Sequence, residues 1–275
     1  MKLCVVLVMV LVSASSGAQP NPAKSSGKKP AASYVGFDKN DYPGDSVLDE
    51  LRKTFSFTGY WLNTPPGAKT SAWLGKRALL RSKGFGFVVL FNGKTYAQLK
   101  AGDAAAVGAS DGTEATRLAG SEGFPARTII FLDHEEGGRL LPEQRAYLHA
   151  WVDAVVKDRF RAGVYCSGIA AREGGGATVV TAQDIRENAG GRQIAFFVAN
   201  DQCPPSPGCS VSAGVAPAQG GIEFADVWQY AQSPRRKQYT RSCAKTYAAD
   251  GNCYAAGKNF VDLNVGASAD PSHGR

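Results

Sequence analysis

The feature that most constrains this chain is the run T-I-I-F-L-D-H-E-E-G-G at residues 128–138, where apolar residues lead into a cluster of acids. A strand over residues 129–132 has no polar side chain, so it must be covered on both faces, like the strands of a parallel sheet. The acids then lie where the strand leaves the core. Because side chains alternate along an extended strand, we expect Asp133 and Glu135 on one face.

Two carboxylates on one face at the carboxyl end of a strand are the groups that acid/base hydrolysis of a glycosidic bond requires. The alternative for the same residues is a solvated strand end followed by a charged turn. The rest of the chain decides between these two interpretations.

Strand-like and helix-like segments alternate along most of the chain, which is typical of a parallel α/β fold. The predicted strands cover residues 34–38, 57–62, 85–91, 129–132, 162–167, 194–200, 224–230 and 259–265. Eight strands with helices between most of them predict a single-domain (β/α)8 barrel of the TIM type. The helices of the last quarter are irregular or missing, and an insertion rich in Pro, Gly and Cys at residues 201–221 replaces one of them.

Polar residues fall at the carboxyl ends of these predicted strands, the end at which barrels of this kind carry their reactive groups. The residues are Asp38, Asn92, Asp133, Glu135, Asn200 and Asp262. Surface acids without a shared role would not be sorted to one end of successive strands. We therefore expect them to meet in one site.

The N-terminus has the pattern of a secretory signal, with Lys2, an apolar stretch at residues 5–12 and small residues before a cleavage point. The apolar stretch is too short to span a membrane comfortably, and no later segment is a candidate. We expect a protein that is secreted to the extracellular space, the periplasm or the cell envelope. The predicted boundaries are 1–18 for the signal peptide, 19–32 for a flexible mature N-terminus, 33–267 for the barrel and 268–275 for a disordered tail.

If the protein is exported, its cysteines are expected to form disulfides. Cys203 with Cys209, and Cys243 with Cys253, each close a short loop, which predicts two disulfides in an oxidising compartment. Cys166 lies within an apolar strand and is predicted to be a buried free thiol.

Other chemistries have less support. The chain has three histidines and no two-cysteine, two-histidine spacing, so we expect no metal and no cofactor. A cysteine-dependent hydrolase that pairs Cys166 with His134 or His149 is disfavoured, because Cys166 is in the middle of a strand and His149 is on a helix outside the barrel.

The formal charge of +7 and the pI of about 9.1 suit an anionic polymer partner such as cell-wall material. No basic run is interleaved with aromatic residues, so nucleic acid is not the expected partner. We expect a monomer.

Five short motifs at the strand ends occur in the order of a known family. They are G-F-D at 36–38, I-F-L-D-H-E at 130–135, A-G-V-Y-C-S at 162–167, W-Q-Y at 228–230 and V-D-L-N at 261–264. Together they resemble the glycoside-hydrolase-like barrels of unknown function in secreted bacterial proteins. Those barrels are related to glycoside hydrolase family 25, the N-acetylmuramidase lysozymes. The resemblance extends over residues 34–265.

The resemblance implies that Glu135 is the general acid, with a pKa raised by walls that exclude water. It implies that Asp133 stabilises the developing oxocarbenium ion, or orients a substrate N-acetyl group as the internal nucleophile. Asp38 and Asp262 match outer acids that hold sugar hydroxyls or steer the carboxylates. Four crowded acids raise at least one pKa through like-charge repulsion.

The same resemblance makes Tyr165, Trp228 and Tyr230 sugar-stacking and hydrogen-bonding residues, with Asn200 as a further substrate contact. For Tyr230, packing inside the barrel is an equal alternative. If the strand bulges after Asp133, Glu136 would face the site in place of Glu135.

The expected activity is hydrolysis of β-glycosidic bonds in N-acetylated cell-wall glycan, with peptidoglycan ahead of chitin. The alternative is a barrel that keeps a glycan-binding groove without catalysing a reaction, since fold and function are separable.

Overall fold

Eight strands close into a barrel in the computed structural model, which describes residues 33–201, 214–231, 255–256 and 259–275. In chain order the strands are β1 (Tyr34–Asp38), β2 (Phe57–Trp61), β3 (Gly86–Asn92), β4 (Ile129–Asp133), β5 (Arg161–Ser167), β6 (Ala170–Arg172), β7 (Thr178–Val180), β8 (Ala195–Ala199), β9 (Val227–Ala231), β10 (Ala255–Ala256), β11 (Asn259–Phe260) and β12 (Asp262–Gly266). The barrel order is β1-β12-β9-β8-β5-β4-β3-β2, and the pairs β6/β7 and β10/β11 form separate two-stranded sheets. The predicted α/β barrel is confirmed.

One barrel strand runs against the others. The neighbouring barrel strands β1, β2, β3, β4, β5, β8 and β9 are parallel. In contrast, β12 pairs antiparallel with both β1 and β9. The expectation of eight parallel strands is therefore wrong for the last one. An antiparallel neighbour needs no crossover helix, in keeping with the degenerate helical pattern before this strand.

Six helices surround these strands in the described residues: α1 (Leu48–Thr54), α2 (Arg77–Ser82), α3 (Tyr96–Leu99), α4 (Ala104–Ser121), α5 (Pro142–Lys157) and α6 (Thr181–Glu187). The two longest, α4 and α5, pack against each other. Pro142 is the first residue of α5, where its fixed φ favours a helix start. Within the described part of the chain, no helix is long and apolar enough to cross a membrane.

The barrel strands are covered on both faces, as the apolar run before Asp133 requires. Every residue of β2, β4 and β9 is buried. Aromatic side chains contribute much of the volume of this core, and Phe37, Phe57, Phe87 and Phe131 are fully buried. Burial on both faces fixes where each strand ends, and so where its terminal polar residue lies.

The last eight residues pack against the barrel, which corrects the expectation of a disordered tail at 268–275. Ser272 is fully buried, and its backbone carbonyl accepts a hydrogen bond from Ile129 N–H at 2.8 Å. Its hydroxyl accepts one from Val89 N–H at 2.9 Å. Arg77 donates to the carbonyl of Gly274. Backbone donors at the starts of β3 and β4 therefore depend on this segment.

Several predictions lie outside the described residues. These are the signal peptide at 1–18, the flexible segment at 19–32 and the disulfides predicted for Cys203, Cys209, Cys243 and Cys253, all of which stay predictions. Cys166 is a buried free thiol in β5, and burial raises its pKa. A buried thiol with a raised pKa is a poor nucleophile.

Candidate active site

Three acids from distant parts of the chain meet at one end of the barrel. Asp38 ends β1 and Asp133 ends β4, at the carboxyl end of the parallel strands. Asp262 begins β12, so the expectation that it ends a strand is wrong. Because β12 runs antiparallel, its first residue lies directly opposite Asp38 in the sheet register. The reversed strand thus brings Asp262 to the predicted rim.

Asp38 is held by a buried hydrogen-bond network inside the barrel. Its Oδ2 accepts hydrogen bonds from Gln229 Nε2 at 2.9 Å and from Asn264 Nδ2 at 2.7 Å. The side-chain carbonyl of Gln229 accepts one from the hydroxyl of Tyr165 at 2.7 Å. All four residues are buried. The network fixes the orientation of both Asp38 and the Tyr165 ring.

Sequence reasoning missed the roles of Gln229 and Asn264. Both belong to motifs that the sequence singles out, W-Q-Y and V-D-L-N, and each is an amide residue flanked directly by apolar or aromatic residues. A buried amide needs a partner, so that pattern was the available signal. The identity of the partner, Asp38, depends on the closure of the barrel.

Asp133 is, like Asp38, a buried carboxyl group of the site, with 6% of its surface exposed. Its pKa is raised well above the ordinary value, by burial first, then by the charge of Glu135 and of Asp38. A neutral carboxyl group is favoured because desolvation and like charges both penalise the ionised form.

Tyr165 lies among all four acids. Its pKa is raised by burial first and then by Asp133, Asp38, Asp262 and Glu135. Each of these four acids is therefore close enough to Tyr165 to interact with it electrostatically. The phenol therefore stays protonated and acts as a hydrogen-bond donor, here to Gln229.

Glu135 is exposed in the loop that follows β4. The strand ends at Asp133, and the next backbone N–H, that of His134, donates to the carbonyl of Tyr165 at 2.9 Å. The water-excluding walls that the resemblance implied for Glu135 surround Asp133 instead. Glu135 nevertheless lines the same cavity as Asp133.

Glu136 also borders this cavity, but its carboxylate has structural partners. Its Oε2 accepts hydrogen bonds from Tyr96 N–H at 2.7 Å and from Gln144 Nε2 at 2.6 Å. These bonds join the loop after β4 to the first residue of α3 and the first turn of α5. Glu136 therefore anchors the loop that carries Glu135.

A cavity of about 670 Å³ opens beside the acids. Its walls are the ends of β3 and β4 and the loops after β2, β3 and β4. The lining residues are Asn63, Thr64, Pro66, Gly67, Asn92, Gly93, Lys94, Thr95, Gln98, Asp133, His134, Glu135 and Glu136. This volume is in the range of small-molecule sites, and the lining is rich in amide and hydroxyl groups that suit a sugar.

None of the six predicted substrate contacts is among the residues that line this cavity: Asp38, Asp262, Tyr165, Trp228, Tyr230 and Asn200. Trp228 is buried, donates from Nε1 to the carbonyl of Asn200 at 2.9 Å and packs against Tyr230. Asn200 Nδ2 donates to the carbonyl of Gly220 at 2.6 Å. A Cβ on Gly220 would be 2.8 Å from the indole, so the backbone covers that ring.

Among the described residues, no group of three His, Cys, Asp or Glu side chains has the arrangement of a metal site. The chemistry that the described side chains offer at this rim is that of carboxyl groups, a phenol and amides.

Fold and site together define a TIM-like barrel with carboxyl groups gathered at one rim. Residues 68–180 match the family model described as the Rv2525c-like, glycoside hydrolase-like domain. This match confirms the resemblance that the five motifs indicated.

Several solved structures are similar to this chain. An uncharacterized protein from B. stearothermophilus is 18% identical with a TM-score of 0.52, and the match covers 84% of this chain and 94% of that one. The Tat-secreted protein Rv2525c of Mycobacterium tuberculosis is 13% identical with a TM-score of 0.48, covering 85% and 94%. A family 25 glycosyl hydrolase from Bacillus anthracis is 12% identical with a TM-score of 0.44, covering 85% and 88%. The similarity to the B. stearothermophilus protein shows the fold. No curated protein sequence matches significantly.

Proposed function

We propose that this chain is a secreted glycoside hydrolase that cleaves β-glycosidic bonds of N-acetylated cell-wall glycan, with peptidoglycan ahead of chitin. One observation carries the proposal. Asp133 and Glu135 line one cavity at the carboxyl end of the strands, but the first is buried with a raised pKa and the second is exposed. Two carboxyl groups in such different environments suit an acid and a charge-stabilising partner.

The two groups act as a pair that shares a proton. In the free protein the proton is on Asp133, because burial penalises its ionised form most. A sugar bound in the cavity covers Glu135, and the proton that the pair shares passes to it. Glu135 then protonates the glycosidic oxygen as the C–O bond breaks. Water supplies the hydroxyl group that the anomeric carbon gains.

Asp133 takes the second role once the proton is on Glu135. Its carboxylate stabilises the positive charge that develops on the sugar ring, or orients the substrate N-acetyl group. The positive charge of the oxocarbenium ion then balances the charge of Asp133. The ionised carboxylate is therefore more favourable in the transition state than in the complex with intact substrate.

The outer acids position the substrate. Asp38 is oriented by two amide donors and lies opposite Asp262, so the pair offers oxygens to sugar hydroxyl groups. Tyr165 adds a fixed phenol. Trp228, Tyr230 and Asn200 would contact the substrate from the side of the rim next to the insertion at 201–221.

A second candidate function is a glycan-binding barrel without catalysis, and the exposure of Glu135 favours it. In the part of the chain that the structure describes, no hydrogen bond or ion pair holds the Glu135 side chain. A general acid acts efficiently only when it is held close to the oxygen that it protonates.

Release of reducing ends from purified peptidoglycan tests the proposal. We expect the wild type to release reducing ends. We expect Glu135→Gln to release them at least about 100-fold more slowly. Glu223→Gln is the matched control, because Glu223 is exposed and precedes β9 at the other end of the barrel. It should keep the wild-type rate.

Two outcomes would contradict the proposal. Equal release by the wild type and Glu135→Gln would remove Glu135 from the mechanism. Retention of the wild type on insoluble peptidoglycan, without any release of reducing ends, would establish the binding barrel instead.

A further inference from the structure

A second cavity, of about 640 Å³, opens at the opposite end of the barrel. It is lined where β4, β5, β8 and β9 begin, by Ala126, Arg127, Val156, Arg159, Phe160, Arg161, Ala162, Gln193, Ile194, Ala195 and Asp226. These parallel strands run from this cavity toward the acids. At about 3.3 Å per residue, the five residues of β4 separate the two ends by roughly 15 Å.

The lining of this second cavity carries a net positive charge. Arg127, Arg159 and Arg161 are all exposed, and Asp226 is the one acid among the lining residues. Asp226 Oδ2 already accepts a hydrogen bond from Phe196 N–H at 2.8 Å. Across the described ranges of the chain, none of the three guanidinium groups has a hydrogen bond or an ion pair. Three arginines therefore present their donors to the solvent in the cavity.

The backbone gives no reason for arginine at two of these positions. Arg127 and Arg159 both have φ of 69°, a left-handed conformation that favours glycine. Arg159 follows the end of α5, the position at which helices commonly carry glycine. The two residues are joined by a hydrogen bond from Arg127 N–H to the carbonyl of Arg159 at 2.8 Å. At both positions arginine is less favourable than glycine in this backbone conformation. We therefore expect each arginine side chain to make an interaction that offsets the backbone strain.

Apolar atoms complete the cavity. Val156 is an exposed large hydrophobic residue, with 52% of its surface accessible, and Phe160, four residues later, is half-buried. Ala126 and Ile194 add further apolar surface. A cavity with cationic and apolar lining suits a ligand that has an anionic group and a carbon skeleton.

We propose that this cavity binds an organic phosphate. The phosphate oxygens accept hydrogen bonds from the guanidinium groups, which match the geometry of phosphate in a bidentate manner. The carbon skeleton packs on Val156 and Phe160. The non-bridging oxygens of a phosphate ester, three in a monoester and two in a diester, can accept hydrogen bonds from more than one guanidinium group at once.

Such a phosphate group comes either from a free small ester or from the repeating unit of an anionic polymer, and the cavity has room for one unit of either. The site is separate from the proposed hydrolase site, because no residue lines both cavities.

Calorimetric titration with sn-glycerol 3-phosphate, poly(glycerol phosphate) and uncharged glycerol tests the proposal. We expect the wild type to bind both phosphates and not glycerol. The double variant Arg127→Gly/Arg159→Gly should bind each at least about tenfold more weakly. Its melting temperature should be equal or higher, because glycine relieves the left-handed strain. Loss of binding would then not be due to misfolding.

The matched control is Arg172→Gln. Arg172 is an exposed arginine of β6, beyond the other end of β5. It should leave the affinity for both phosphates unchanged, which excludes an effect of net charge alone. Glu135→Gln should also leave it unchanged, so failure of the hydrolase proposal would be distinguishable from failure of this one.

Tighter binding of the polymer per phosphate group would identify the polymer as the source, and equal binding would identify the free ester; both support the site. The proposal is overturned if the wild type binds neither phosphate at concentrations up to about 10 mM. It is equally overturned if the double variant binds as tightly as the wild type.

Discussion

At the scale of single residues, burial separates two carboxyl groups that are only two positions apart. Asp133 ends a strand that is covered on both faces, while Glu135 lies in the loop beyond it. The raised pKa of Asp133 has burial as its largest cause and neighbouring charges as smaller ones. The protein therefore loses folding stability when this group ionises.

The sign of the pH dependence follows from that shift. The folded protein keeps the Asp133 proton in a pH range where the unfolded chain, with an ordinary pKa of 3.8, has lost it. Stability falls as the pH rises from about 4 through the folded-state pKa, and the loss is complete above it. We expect Asp133→Asn to be more stable than the wild type near pH 7, by about 1 kcal/mol or more.

Urea unfolding at several pH values measures this difference. The gain should disappear near pH 3, where the carboxyl group is protonated in both states. The exposed Asp41 provides a control, since Asp41→Asn should not show this trend. A gain for Asp133→Asn of the same size at pH 3 and pH 7 would show that ionisation of Asp133 is not its cause.

At the scale of elements, small residues allow α4 and α5 to pack closely. A Cβ on Gly108 would be 2.2 Å from the carbonyl oxygen of Tyr147 and 3.0 Å from its Cα. A Cβ on Gly112 would be 2.7 Å from the carbonyl oxygen of Trp151. Glycine at these two positions of α4 is thus required by its packing against α5.

Gly108→Ala should destabilise the protein although alanine favours helices. We expect a loss of about 2 kcal/mol, because the α5 backbone must move to make room. Gly120 lies on the same helix, and a Cβ at that position would have nothing within 4 Å. Gly120→Ala should therefore stabilise by about 0.5–1 kcal/mol. Denaturant unfolding of both variants provides the comparison, and equal changes would contradict the packing argument.

At the scale of the whole molecule, the C-terminal segment closes the amino end of the barrel beside β3. Asp270 Oδ1 accepts a hydrogen bond from Phe87 N–H at 2.9 Å, and the carbonyl of Phe87 in turn accepts one from Ser272 N–H at 2.8 Å. A Cβ on Gly86 would be 2.0 Å from the carbonyl oxygen of Ala269. Glycine at the start of β3 is required for this approach.

Ser272→Ala tests whether the segment contributes to the fold. The substitution leaves the buried N–H of Val89 without its acceptor, so we expect a loss of about 1–3 kcal/mol in thermal or denaturant unfolding. Ser121→Ala, at an exposed serine of α4, should have little effect. Deletion of residues 268–275 should lower stability further. Wild-type stability after the deletion would show that the segment is dispensable.

The sequence by itself determined which segments form the barrel, and it placed Asp38, Asn92 and Asp133 at the ends of three strands. Apolar runs such as the one before Asp133 can be satisfied only by burial on both faces, and the polar residues after them must then lie at the rim. Those are local properties of the chain. They were sufficient to predict a shared site for Asp38, Asp133, Glu135 and Asp262, and to suggest the family from five short motifs.

Only the tertiary structure decided the direction of β12, the burial of Asp133 and the partners of Asp38. Each depends on residues far apart in the chain: Asp38 meets Asn264 across 226 positions and Gln229 across 191. The packing of Ser272 against β3 is of the same kind. The local sequence pattern predicts that a polar group is buried or that a segment is extended. Closure of the barrel determines which residues that group or segment contacts. Contacts at long range set the pKa of a carboxyl group because its surroundings, not its neighbours in sequence, replace the water around it.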